Sequence, residues 1–146
     1  MHVLVSSLLL ATSACGGSAQ PSAECERAQE IATEALESGT DLLQDIDAVD
    51  QRGHRLIARA DEIQAELERA RSARDAEAGF ELLEELEDVA DSLDQVQIDR
   101  DRLVREADQH LSRSSIAVEQ NPDCFTVDER VEAETMQRRV DELREN

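Results

Sequence analysis

Few residues in this chain could do chemistry, and their spacing decides of what kind. There are three cysteines, Cys15, Cys25 and Cys124, and beyond the first two dozen residues two histidines, His54 and His110. Carboxylates cluster at Asp41, Asp45, Asp47 and Asp50, and again at Asp88, Asp91 and Asp94. A redox-active thiol pair usually sits in C-x-x-C, and that spacing is absent. The di-iron site of helical bundles needs paired Glu-x-x-His motifs, and none occurs. There is no glycine-rich phosphate loop, no G-x-S-x-G and no H-E-x-x-H. Calcium needs a tight oxygen cage, which carboxylates strung along a helix cannot close. The acidic runs therefore read as a solvated face, with weak attraction of cations as the alternative. No catalytic residue, metal site, cofactor or small-molecule substrate is expected, and the chain is expected not to be an enzyme.

The charge is lopsided. The 146 residues carry 35 acidic side chains against 15 basic ones, a formal net charge of -20. Such a surface repels nucleic acid and anionic lipid, because binding a polyanion requires basic side chains to neutralise phosphates. Large apolar residues are scarce: Leu, Ile, Val and Phe number only 28 beyond residue 14, and the only aromatics are Phe80 and Phe125. A chain this charged and this poor in apolar residues folds only if those residues are regularly spaced.

The N-terminal segment is different. From Val3 to Ala14 it is apolar or small and uncharged. About twelve residues are too few to span a bilayer, which takes roughly twenty, but they suit the apolar core of a signal peptide. The run ends "TSAC", followed by Gly16 and Gly17. Residues 1–17 thereby resemble a bacterial lipoprotein signal. The resemblance implies cleavage after Ala14, a diacylglycerol on the Cys15 thiol and acylation of the new N-terminus. It implies a place in the bacterial cell envelope, anchored by lipid on the periplasmic face, with the outer membrane as the expected one. The alternative is an ordinary secretory signal with an incidental Cys15. The expected organisation is a signal peptide at 1–14, a lipidated cysteine and short linker at 15–21, and one helical domain at 22–146.

Spacing organises the rest. Steps of three and four from Cys25 land on Ala28, Ala32, Ala35, Gly39, Leu42 and Ile46, and continue through Val49, Gly53, Leu56, Ala60, Ile63, Leu67 and Ala70. All are apolar or small, a heptad seam held for over six heptads. The phase runs through Gly39 and Gly53, which favours one long helix from about Ser22 to Asp75, bent at the glycines, over a break at "SGTD". A second seam follows from Leu82 through Leu86, Val89, Leu93, Val96 and Arg100 towards Ala117. A flanking stripe at Leu83, Ala90, Gln97, Val104, Leu111 and Val118 becomes apolar towards its C-terminal half. "NPD" at 121–123 ends the second helix. Thr126 and Glu129 form a T-x-x-E capping box opening a third, with Val127, Val131, Ala133, Met136, Val140 and Leu143 as its apolar residues.

The predicted fold is all-α: a long antiparallel, coiled-coil-like hairpin with a shorter third helix at its base. The third helix should pack on Leu36, Leu43, Val104, Leu111 and Val118. Gly79 is expected to supply the turn, near residue 77. That fold-back sets residue 124 opposite roughly residue 30, close enough for a Cys25–Cys124 disulfide in an oxidising compartment; two buried free thiols are the alternative. His54 and His110 then lie too far apart along the rod to share a metal. Phe80, with Arg71 and Arg74 nearby, falls at the turn, where the surface is less acidic. Residues 71–83 are the expected partner contact, the alternative being that Phe80 merely plugs the turn. The function expected is a structural or protein-interaction element of the envelope, joined to the membrane through its lipid alone. Its partner would be an envelope protein whose identity is not readable. A holdase-type module for unfolded polypeptides is the alternative.

Overall fold

The computed structural model describes residues 22–145. The expected signal segment, Cys15 as the expected lipidation site and the expected linker lie outside them. Three helices make up the architecture: α1, Ala23–Ala73; α2, Ala76–Gln120; and α3, Val127–Glu145. A short 3₁₀ turn, Pro122–Cys124, joins α2 to α3. Helices α1 and α2 form the antiparallel hairpin, and α3 lies along its base, packed mainly on α2. No strand occurs among the described residues.

Each helix begins where the local chemistry satisfies its free N–H groups. The Ser22 side chain accepts from the Cys25 N–H at the start of α1, and the Asp75 side chain accepts from the Ala78 N–H at the start of α2. At α3, Glu129 Nα–H donates to Thr126 Oγ1, while Thr126 donates its own N–H and hydroxyl to Glu129 Oε2. Those two bonds hold the Glu129 carboxyl below its ordinary range. Its contribution to stability is complete above the usual carboxylate pKa and disappears as pH falls through the lowered value.

The reversal is tighter than the spacing suggests. It occupies Arg74 and Asp75, with Arg74 in the left-handed region at φ 58° and the Asp75 N–H bonded to the Ala70 carbonyl. Gly79 is not the turn residue; it lies inside α2. A terminating αL residue followed at once by an N-cap side chain closes one helix and opens the next in two positions. Moving the fold-back from 77 to between 74 and 75 shifts the pairing so that Cys124 faces Cys25. The same register sets Arg100 beside Asp50, Gly53 beside Val96 and Gly39 beside Leu111.

Gly39 neither ends nor punctuates α1. A Cβ placed there would lie 2.5 Å from both Cγ and Cδ2 of Leu111, which is fully buried. The missing side chain is what lets the two helices approach around Leu111. At Gly53 an added Cβ would meet only Val96 Cγ1, at 3.3 Å.

The widening apolar face of α2 is the face α3 covers. Val140 joins Leu43, Ile46, Leu103, Val104, Ala107 and Leu111 in one core cluster, with Met136 and Leu143 packed against it. Below it, Ala133 meets Ala32, Ala117 and Val118, and Phe125 packs on that smaller cluster. Val127 and Val131 are not part of the packed face and stay exposed. Steps of three and four back from Val140 reach Met136 and Ala133 and pass them by, so the buried stripe begins at Ala133.

Gly39→Ala and Gly53→Ala should move stability in opposite directions. Each gains about 1 kcal/mol of helix propensity. At Gly39 the clash with an immobile Leu111 should outweigh that gain by about 1–2 kcal/mol, as overpacking does. At Gly53 the contact can relax, and the variant should match or exceed the parent. Thermal unfolding of both variants followed by circular dichroism checks the pair.

Candidate functional site

The two ends of the hairpin are the candidate regions, and the base is the simpler. Cys25, in the first turn of α1, and Cys124, closing the 3₁₀ turn, form a disulfide with Cα atoms 5.1 Å apart. Gln29 Nε2, one turn further along α1, donates to the Cys124 carbonyl at 2.6 Å. The covalent bond and this hydrogen bond pin the α2–α3 connection onto α1.

At the other end the rod is bare. The tip holds an open groove of about 640 Å³ between α1 and α2, bounded by Gln64, Leu67 and Arg71 on one side and Gly79, Phe80 and Leu83 on the other. The structure brings Arg71 and Phe80 together across this groove. Arg74 stands apart in the reversal itself. Phe80 is 64% exposed and Leu83 55% exposed, so Phe80 does not plug the turn. The other aromatic, Phe125, is packed at the base. Gly79 is the telling neighbour. It costs α2 about 1 kcal/mol in helix propensity, yet nothing lies within 4 Å of where its Cβ would be. Packing within the described chain gives no reason for a glycine there; its effect is to leave the groove wall open beside Phe80.

The two histidines take separate places. His54 lines a second open groove midway along the hairpin, with Asp50, Ile57, Leu93, Asp94 and Gln97 among its walls. His110 is half-buried on the lower part of α2. Among the described residues no group of three or more His, Cys, Asp or Glu side chains is arranged to hold a metal ion.

Part of the acidic surface has a structural task that its pattern does not announce. Asp50 accepts from Arg100 Nε at 3.0 Å, and Arg100 Nη2 reaches the Leu143 carbonyl at 3.4 Å, so one guanidinium ties all three helices. Asp47 takes both bonds of Arg139 Nη2, and Asp108 takes bonds from Arg144 and Gln137. On the far side of the hairpin Arg59 bonds Glu85 and Glu62, which raise its guanidinium pKa further. Asp47 and Asp50 therefore belong to the packing of α3 rather than to a wholly solvated face. The signal in the sequence is Arg100, a charge standing on a seam that is otherwise apolar from Leu82 to Ala107. The α1 half of the tip groove also has one: sevens carried forward from Leu36 and Leu43 reach Asp50, Ile57, Gln64 and Arg71.

No helix among the described residues is long and apolar enough to cross a membrane. Compared with known protein families, curated proteins and solved structures, the chain matches none. What the geometry defines is a disulfide-closed, three-helix coiled-coil hairpin with a bare tip.

The disulfide closes a loop of 99 residues. Replacing both cysteines with Ser should cost about 4–5 kcal/mol on the chain-entropy account of such loops. Urea unfolding of the parent, the double variant and the reduced parent measures it. Non-reducing peptide mapping should recover the Cys25–Cys124 pair.

Proposed function

We propose that the protein is an envelope-anchored spacer that holds a partner away from the membrane. The N-terminal lipid on Cys15 would fix one end. Residues 16–21 reach at most about 20 Å, so the disulfide-closed base stays near the bilayer. Helix α1, 51 residues long, then carries the tip about 75 Å outward. The observation that carries the reading is the tip itself: an exposed Phe80 beside a helical Gly79 with nothing above it. An exposed aromatic in a rimmed groove is the usual anchor of a protein contact. The Cys25–Cys124 bond supports the compartment, since disulfides persist where the environment is oxidising. A holdase would want a broad apolar cradle. Here the exposed large apolar residues among those described are scattered over all three helices, with Ile57, Phe80 and Leu83 along one narrow strip and Val127 and Val131 as a separate pair on α3.

Mass spectrometry of the membrane-associated protein should find an acylated Cys15 at the mature N-terminus. A soluble form with that thiol unmodified removes the anchor from the proposal. The tip is tested by crosslinking in the native envelope. Arg71→Ala, Arg74→Ala and Phe80→Ala together should leave helix content and thermal stability nearly unchanged, because surface positions cost at most about 0.5 kcal/mol each. The crosslinked partner should be lost. Unchanged crosslinks would place the contact elsewhere on the rod.

A further inference from the structure

Helix α3 demonstrates what the face of this hairpin can hold. It lays Met136, Val140 and Leu143 against α1 and α2, and it answers the two rims with arginine: Arg139 on Asp47 of α1, Arg144 on Asp108 of α2. Both rims continue towards the tip at heptad spacing. On α1 Asp47 is followed by His54, Asp61 and Glu68; on α2 Asp108 is followed by Asp101, Asp94, Glu87 and Phe80. His54 and Asp94 line the middle groove, and Glu68 and Phe80 line the tip groove. Asp61 and Glu87 each stand seven residues from two of these, so they lie on the same rims. The floor between the rims carries Ile57, Leu67, Leu83 and Leu93, with Gln64 and Gln97 among them and Arg71 at the tip end; Ile57 is 51% exposed.

Among the described residues, no basic side chain pairs with Asp61, Glu68, Glu87 or Asp94. The opposite face of the same stretch is tied across by Arg59 and Glu85. The uncovered strip thus continues an existing helix–helix interface, with its carboxylates unanswered.

We propose that this upper groove binds an amphipathic helix of a partner protein, apolar on one stripe and flanked on both sides by arginine or lysine. The helix continues the path of α3 from Arg100 to Phe80. The proposal deepens the spacer reading and rests on it, because the strip ends at the tip contact. Charge selects the occupant. A second copy of this chain would bring a net charge of -20 and the same acidic rims into contact with these. From Asp50 to Ala73 the groove runs about 35 Å, room for about three heptads.

The test is a titration of the full chain, purified in detergent, with a fluorescent peptide of about three heptads. The peptide carries leucine at both seam positions, arginine at both flanking positions and glutamine elsewhere. Binding should saturate at one peptide per chain and weaken as salt rises. Asp61→Asn, Glu68→Gln, Glu87→Gln and Asp94→Asn together should weaken it by about tenfold or more. Neutralising four exposed carboxylates on the outer side of α2, with Glu81→Gln, Glu84→Gln, Asp88→Asn and Asp91→Asn, should change it by less than about twofold. Circular dichroism should show both variants folded. Binding that does not saturate, or that falls equally with both sets, overturns the groove. So does a photo-crosslinker at Ile57 that captures only another copy of the chain in the envelope. If the peptide fails while the wild-type tip still crosslinks its envelope partner, this inference falls and the spacer reading stands. A missing lipid at Cys15 does the reverse.

Discussion

The structure depends on Leu111 sitting over Gly39. The first helix offers mostly alanine and glycine along its lower seam, with Ala28, Ala32, Ala35 and Gly39 all buried. Such residues contribute little apolar area each, so the hairpin gains by bringing its backbones close rather than by interleaving large side chains. Close approach works in one register only. Slide either helix by a step and Leu111 meets Ala35 in one direction or Leu42 in the other, while the Arg100–Asp50 pair separates. The same register delivers Cys124 to Cys25, and the covalent bond removes about 4–5 kcal/mol of the chain entropy that folding must overcome.

Arg100 divides the rod into two regimes. Its side chain is only 17% exposed, and its guanidinium reaches Asp50 on α1 and the last turn of α3 at once. A cation near the C-terminal carbonyls of a helix also opposes the negative end of the helix dipole. Below Arg100 three helices enclose a core of Leu, Ile and Val. Above it two helices share a narrower seam and leave one flank open. Removing one partner of this pair leaves the other charge uncompensated, so the position helps hold the last turn of α3 on the hairpin. Among the described residues, the strip beyond that level is uncovered beside a covered one.

The acidic coat acquires meaning from this division. Along the lower half, part of the negative charge is consumed internally by Arg139 and Arg144. Along the upper half the same stripes carry carboxylates that no arginine among the described residues pairs with, beside a floor that includes Ile57, Leu67, Leu83 and Leu93. A surface that is a plain solubilising coat elsewhere becomes selective there, because like charges exclude acidic occupants and the floor favours an apolar stripe.

Much of this was legible from residue spacing. The heptad seams, the proline that ends α2 and the T-x-x-E box that opens α3 are local or periodic signals. Their physics acts within a few residues or repeats with the helix. Other features had no local signature. Gly79 looks like a turn residue and is not one, since Arg74 and Asp75 close the reversal through hydrogen bonds that no pattern of residue types requires. Val127 and Val131 look like core and are exposed, because the angle at which α3 lies on α2 selects which stripe is buried. Gly39 looks like a weak point in α1 and is a contact, for a reason that sits seventy-two residues away at Leu111. By itself, then, the sequence determined which segments are helical, which stripes are apolar and where the charge lies, because those follow from side-chain type and a fixed helical period. Only the tertiary structure decided the register, the partner of each arginine and which acidic stripe stays unanswered, because those depend on how two long helices approach one another in space.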